Sequence, residues 1–223
     1  MAPDEPLARD LPHTHDGEEC SIAAMTRPAP SEKKSAGPDP LSLVLDRGQA
    51  LLLVIDVQKK LAQAMPPKAM SAVARNVSVL LRAAGKLGLP IVASEQYPKG
   101  LGPTLPALAK LLPHQPLEKL EFSAGNNQGL AKAVLGARRR QVIIAGLEAH
   151  VCVFQTARDL ALAGFHVFIP EDAVLSRTPA NLRAGLRLCE KAGALVSSTE
   201  AILFDLLGAA GTPEFRALAP LIR

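Results

Sequence analysis

Three side chains in this sequence combine a reactive type with a placement suited to catalysis: Asp56, Lys119 and Cys152. Cys152 closes the stretch Gln141-Val-Ile-Ile-Ala-Gly-Leu-Glu-Ala-His-Val-Cys152. Gln141 to Ala145 reads as a buried strand ended by Gly146, and from Val151 to Ala163 the residues Phe154, Ala157, Leu160 and Ala161 share one helical face. The cysteine thus stands where a strand turns into the first turn of a helix. Unpaired N–H groups and a partial positive charge favour a thiolate there. The competing reading is a small interior residue, the usual state of a free cysteine. Asp56 is the one charge in the apolar run Ala50 to Val57, the mark of a strand covered on both faces. It falls near the carboxyl end, outside which open parallel sheets form their ligand crevice. Gln58 follows as a second polar group at the same rim. Lys119 taken alone reads as a solvated lysine. A cysteine that attacks a carbonyl carbon needs a base, and none of the five histidines has a persuasive base position. His150 is two residues from Cys152, on a turn whose direction the sequence leaves open.

The elements that must hold these groups alternate along the chain. Residues 68 to 87 carry a helical pattern with Val73, Val77, Leu80, Leu81, Ala84 and Leu87 inward, stopped by Gly88-Leu89-Pro90. Ile91 to Ala93 is the next strand. It runs into a Pro/Gly-rich loop, Ser94 to Thr104, which is a candidate pocket wall. A short helix is expected over Thr104 to Leu112. Asn126 and Asn127 can cap a helix through Leu135. His166 to Pro170 reads as a strand, Pro179 to Ala192 as a helix bearing Cys189 on an apolar face, Ala194 to Ser197 as a last strand, and Thr199 to Leu207 as a helix. Thr212-Pro213 opens a final helix with a cap and a proline at its first position. Alternation of this kind predicts an α/β fold, a three-layer α/β/α sandwich around a doubly wound, mainly parallel sheet.

Composition narrows the function. Hydrophobic residues make up 48% of the 223 residues, enough for a large core, and no apolar run reaches membrane-spanning length. Residues 1–40 hold 7 of the 19 prolines without sustained periodicity, so a disordered or loosely ordered tail is expected there and one domain over 41–223. His13 and His15 in that tail lack a rigid metal cage. Three cysteines at unrelated spacings, Cys20, Cys152 and Cys189, argue for a reducing compartment, and a cytoplasmic location is expected. Of 21 acidic and 25 basic side chains, 8 and 4 fall in residues 1–40, so the rest of the chain carries a net +8. Arg138-Arg139-Arg140 has no interleaved aromatics, so the reading is a solvated basic surface and no nucleic-acid partner.

Val54-Ile-Asp-Val-Gln58, Lys119-Leu-Glu-Phe-Ser123 and Ala145-Gly-Leu-Glu-Ala-His-Val-Cys152 together resemble the isochorismatase-like cysteine hydrolase superfamily, from about Leu43 to the C-terminus. Glu95 to Thr104 further resembles the branch called isochorismatase domain-containing proteins. The resemblance implies a catalytic triad of Asp56, Lys119 and Cys152. Asp56 would accept the thiol proton, Lys119 would hold Asp56, and Cys152 would form a thioester with a small amide. It also implies a cis peptide between Leu147 and Glu148, and an oxyanion hole from the backbone N–H groups of Glu148 and Cys152. The implied substrate pocket includes Gln58, Leu61, Gln96, Tyr97 and Phe122. Leu61 stands where the family often has an aromatic residue. Where the family's zinc-binding members carry Asp-x-His, this chain has Ser94-Glu95-Gln96, so no metal and no cofactor are expected. The expected activity is a metal-independent hydrolase of a C–N bond in a small molecule, in a homo-oligomer without membrane contact. Hydrolysis of isochorismate or a related vinyl ether or ester is the alternative within the fold. A catalytically silent binding or scaffold protein is the alternative outside enzymology.

Overall fold

The structure, a computed structural model, describes residues 43–222. The tail expected over residues 1–40, with His13, His15 and Cys20, lies outside the described residues. In chain order the elements are β1 (Ala50–Ile55), α1 (Lys59–Gln63), α2 (Pro67–Leu87), β2 (Ile91–Gln96), α3 (Pro98–Leu101), α4 (Pro106–Ala109), β3 (Leu117–Lys119), α5 (Gln128–Gly136), β4 (Gln141–Leu147), α6 (Phe154–Leu162), β5 (His166–Pro170), β6 (Val174–Leu175), α7 (Pro179–Lys191), β7 (Leu195–Ser197), α8 (Thr199–Leu207) and α9 (Pro213–Leu218). A π-helical turn over Ala149–Val153 joins β4 to α6.

The seven strands form one sheet in the order β3-β2-β1-β4-β5-β7, with β6 paired to β4, and every strand pairing is parallel. Side chains alternate across it with the period of two that a strand imposes. Leu52 and Val54 of β1 with Ile143 and Ala145 of β4 pack one way, against Val73, Val77 and Leu80 of α2 and Ile202 and Leu206 of α8. Leu51, Leu53 and Ile55 with Val142 and Ile144 pack the other way, against α5, α6 and α7 through Leu130, Val134, Ala157, Leu160 and Cys189. This is the expected three-layer α/β/α sandwich. Burial on both faces is why β1 is apolar throughout.

The order of strands also fixes where a site can form. From β1 the chain winds outward through β2 to β3, and from β4 it winds the opposite way through β5 to β7. Neighbouring strands whose connections diverge leave a crevice at their carboxyl ends. Asp56 follows β1 and Cys152 follows β4, so the topology delivers both to that crevice.

Several boundaries differ from expectation for local reasons. β2 continues to Gln96, because Ser94, Glu95 and Gln96 pair with Leu117, Glu118 and Lys119. Gly146 does not end β4 but lies within it, at φ 127°, paired with Ile55. A side-chain carbon there would stand 2.0 Å from the Ile55 carbonyl oxygen, so the close approach of β4 to β1 requires glycine. α4 is shorter than the helix expected over Thr104 to Leu112. β6, with only two residues, is too short to leave a periodic trace.

Candidate active site

Asp56 leaves β1 in the left-handed region at φ 51°, a conformation Asp adopts more readily than most residues. It has no exposed surface. Oδ1 accepts a hydrogen bond from Ser94 Oγ at 2.7 Å, and Oδ2 accepts one from Lys119 Nζ at 2.7 Å. Lys119 reaches Asp56 from the edge strand β3, and the side chains of both residues are fully buried. The ammonium is enclosed further by Gln96 Oε1 at 2.6 Å and by the carbonyls of Glu121 and Phe122, each at 3.3 Å. A buried cation so fully provided with acceptors is the opposite of the solvated lysine that its local sequence suggests.

Cys152 sits in the π-helical turn, buried at 6% exposure among the side chains between the sheet and α5–α7. Its Sγ lies 4.0 Å from Gln96 Oε1. Burial is the main influence on the thiol, and the negative charge of Asp56 adds to it. Lys119 acts in the opposite sense, and the net result pushes the thiol up to about 12. Burial and the Asp56 charge thus act against the helix N-terminus and favour the protonated thiol. Cys189, fully buried in α7, is likewise pushed up to about 12 by burial and then by Glu190.

The turn that carries Cys152 is held from several sides. The Leu147–Glu148 peptide is cis, at the position expected. Glu148 accepts a hydrogen bond from Arg177 Nε at 2.7 Å. Its backbone carbonyl accepts from the N–H groups of Val151 and Val153 at 3.0 and 3.2 Å. His150 Nδ1 lies 3.0 Å from Ser176 Oγ, which engages the ring with β6's following turn. Helix α7 approaches so closely at Gly185 that an added side-chain carbon would stand 2.6 Å from both the Ala149 carbonyl carbon and the His150 nitrogen.

Asp56, Lys119 and Cys152 thus meet, with Gln96 among them. The other expected pocket residues divide. Gln58 is wholly buried and its amide is consumed as a bracket. Nε2 donates to the carbonyls of Gln96 and Gly102 at 3.0 and 2.7 Å, and Oε1 accepts from the Gln96 N–H at 2.8 Å. Leu61 packs into the α2 side of the core. Phe122 is 55% exposed. Next to these three side chains is a pocket of about 420 Å³ lined by Tyr97, Pro98, Lys99, Glu118, Lys119, Leu120, Glu121 and Asn127. Of the five residues expected to line a pocket, only Tyr97 belongs to it, and of Asp56, Lys119 and Cys152 only Lys119. Asn127 donates to Glu121 Oε2 at 3.0 Å, and this bond is the main reason the Glu121 carboxyl is held below its ordinary value.

Ser94 escaped the sequence reading as a site residue. Its bond to Asp56 depends on its position opposite Ile55 in the parallel register, which local sequence does not carry. Glu95 also acts locally: its Oε1 accepts from the Thr104 N–H and hydroxyl at 2.6 and 2.7 Å, tying down the loop that contains α3. Among the described residues no three His, Cys, Asp or Glu side chains are grouped as a metal site, and no helix is long and apolar enough to cross a membrane.

Comparison with known proteins places the chain in one family. The model of the isochorismatase domain matches residues 50–201, which span all three of the meeting side chains. The isochorismatase domain-containing protein 2 of Macaca fascicularis is 35% identical over 181 residues, 79% of this chain and 84% of that protein. Among solved structures, the MAR1 ribonuclease from Caenorhabditis elegans superposes with a TM-score of 0.74 at 32% identity, covering 80% of this chain and 92% of that one. The YcaC gene product of Escherichia coli, described as an octameric hydrolase of unknown specificity, superposes with a TM-score of 0.71 at 25% identity, covering 81% and 87%. On these grounds the chain belongs to the isochorismatase family.

Proposed function

We propose that this protein is a metal-independent cysteine hydrolase that cleaves the C–N bond of a small amide through a thioester on Cys152. The observation that carries the reading is the fully buried Lys119–Asp56 pair, 2.7 Å between charged atoms, placed beside a buried thiol. With the thiol at about 12, a free thiolate at neutral pH would cost about 7 kcal/mol. Attack is therefore coupled to proton transfer. The S–H proton passes to Asp56 as Sγ bonds to the carbonyl carbon, and the N–H groups of Glu148 and Cys152 receive the oxyanion. Collapse breaks the C–N bond, and Asp56 returns the proton to the departing amine. Water then attacks the thioester with Asp56 as base, which releases the acid and restores the thiol.

Glu118 and Glu121 outnumber Lys99, the cation of the adjoining pocket not already bonded to Asp56, so the pocket favours a neutral or cationic small molecule over a phosphodiester. This weighs against carrying the word ribonuclease over from the nematode relative. Turnover of small amides, nicotinamide, isochorismate and an RNA oligonucleotide is to be compared for the wild type and Cys152→Ala. Amide turnover that disappears in the variant is expected. Amide turnover that survives it sinks the covalent mechanism, and turnover of isochorismate alone moves the reading to vinyl-ether cleavage. Self-association belongs to the same proposal, supported by the octamer described for the E. coli protein and by exposed Tyr97, Leu120 and Phe122. A strict monomer by light scattering removes that part.

A further inference from the structure

Gln96 ends β2 with both faces of its peptide and both ends of its side chain engaged. Gln58 grips its backbone N–H and carbonyl at 2.8 and 3.0 Å. Its Nε2 donates to the Leu120 carbonyl at 2.8 Å. Because that nitrogen can only donate, the bond fixes which way the amide points. Oε1 must then face inward, where it lies 2.6 Å from Lys119 Nζ and 4.0 Å from Cys152 Sγ. An ammonium has three hydrogens. In this site one goes to Asp56 Oδ2, one to Gln96 Oε1, and the third is shared by the Glu121 and Phe122 carbonyls. The sulfur of Cys152 is also within reach of both Asp56 and Lys119, so it competes with these oxygens for the ammonium.

We propose that Gln96 is a positioning residue of the reaction: its Oε1 competes with the Cys152 sulfur for the Lys119 ammonium and accepts the hydrogen of the resting thiol. This rests on the cysteine-hydrolase reading and assigns Gln96 a part in it other than that of a pocket wall. The thiol then stays protonated and aligned until Asp56 takes its proton. In that step the S–H bond breaks as an Asp56 O–H bond and the S–C bond form, while Gln96 keeps its bond to Lys119 and exchanges no atom.

Two substitutions should act in opposite directions. Gln96→Leu removes the acceptor from both the ammonium and the thiol, so Lys119 can turn to the sulfur and the thiolate is favoured. Gln96→Glu keeps an oxygen for Lys119 but adds a second negative charge beside the sulfur, so the thiolate is disfavoured. Iodoacetamide alkylation of Cys152, followed by peptide mapping from neutral to alkaline pH with Cys189 as internal reference, reads this directly. The rate profile should move to lower pH in Gln96→Leu and to higher pH in Gln96→Glu. At a fixed pH below the midpoint each rate should change by about threefold or more, because thiolate is the attacking form and its fraction changes tenfold per unit. Gln96→Asn, too short to reach either partner, should follow Gln96→Leu and serves if the latter does not fold.

On an amide that is turned over, Gln96→Leu should lower kcat more than it raises KM. Profiles that move the same way in the Leu and Glu variants, as opening of the site would produce, overturn the proposal. So does an unmoved profile with an intact melting temperature and a change confined to KM. The alkylation profile reports the sulfur's surroundings whether or not any amide is hydrolysed. Failure of the amide panel and failure of the Gln96 assignment are therefore separate results.

Discussion

Lys119 and Asp56 have lost all water, and one partner alone would be a buried uncompensated charge. Such a loss costs about 3–5 kcal/mol, although a whole buried pair is worth little against a neutral replacement. Lys119→Met should therefore be strongly destabilised in denaturant unfolding. Adding Asp56→Asn should recover much of the loss, since Asn removes the charge and tolerates φ 51°. If the double variant is as unstable as the sum of the two singles, the pair is not coupled as the geometry requires. The same residues set the reactivity of the thiol with opposite signs. Asp56 pushes the thiol up and Lys119 pulls it down, so in the single variants Asp56→Asn should speed Cys152 alkylation and Lys119→Met should slow it.

At the scale of elements, the placement of Cys152 depends on how tightly a helix lies against a turn. α7 and the π-helical turn over Ala149–Val153 touch where Gly185 faces the Ala149–His150 peptide. A methyl group at Gly185 cannot be accommodated at 2.6 Å from backbone atoms, so α7 must move away. Overpacking of this kind costs about 1–3 kcal/mol, and the displaced turn carries Cys152 with it. Gly185→Ala should lower the melting temperature and alter the alkylation rate of Cys152. Gly136→Ala is the control, because it sits in α5 with open space around it. At this last residue of the helix the substitution should leave stability level or slightly raised. Equal behaviour of the two variants would show that α7 does not hold the turn.

For the whole molecule the two buried thiols give a definite pH dependence. Each has an ordinary value of 9.0 and is pushed up to about 12 in the fold. Between those values the unfolded chain has released protons that the folded chain still holds, so unfolding is favoured as pH rises. The stabilisation from keeping the thiols protonated is complete below about 9 and is lost progressively toward 12. The slope approaches about 1.4 kcal/mol per pH unit for each thiol. Urea unfolding across this range should show the decline, and Cys189→Ala should remove about half of the thiol contribution. A Cys189→Ala curve parallel to that of the wild type would mean that Cys189 ionises in the fold as freely as in the unfolded chain.

Much of this fold is written locally. Apolar strands covered on both faces, helices with a 3.6-residue apolar stripe, and caps at Asn127, Thr178 and Thr212 all carry their signal within a few neighbouring residues. The order β3-β2-β1-β4-β5-β7 gives those signals their meaning by bringing the ends of β1 and β4 to one crevice. Asp56 and Cys152 were legible because each marks a strand end by its type. Lys119 was not legible from its surroundings, because Asp56 and Gln96, two of the acceptors that enclose it, come from distant segments. The ionisation state of Cys152 was left open by the sequence for the same reason. A helix start is a local feature that favours thiolate, whereas desolvation and the Asp56 charge come from chain distant in sequence and outweigh it. Gln58 shows the limit most plainly. Its polarity at a strand end suggests a ligand contact, but only the folded chain shows its amide consumed by the Gln96 and Gly102 backbone. Sequence determines which groups are present and which elements they end. Tertiary structure decides which of them lose water and which partners remain to replace it, because desolvation is a property of the whole neighbourhood.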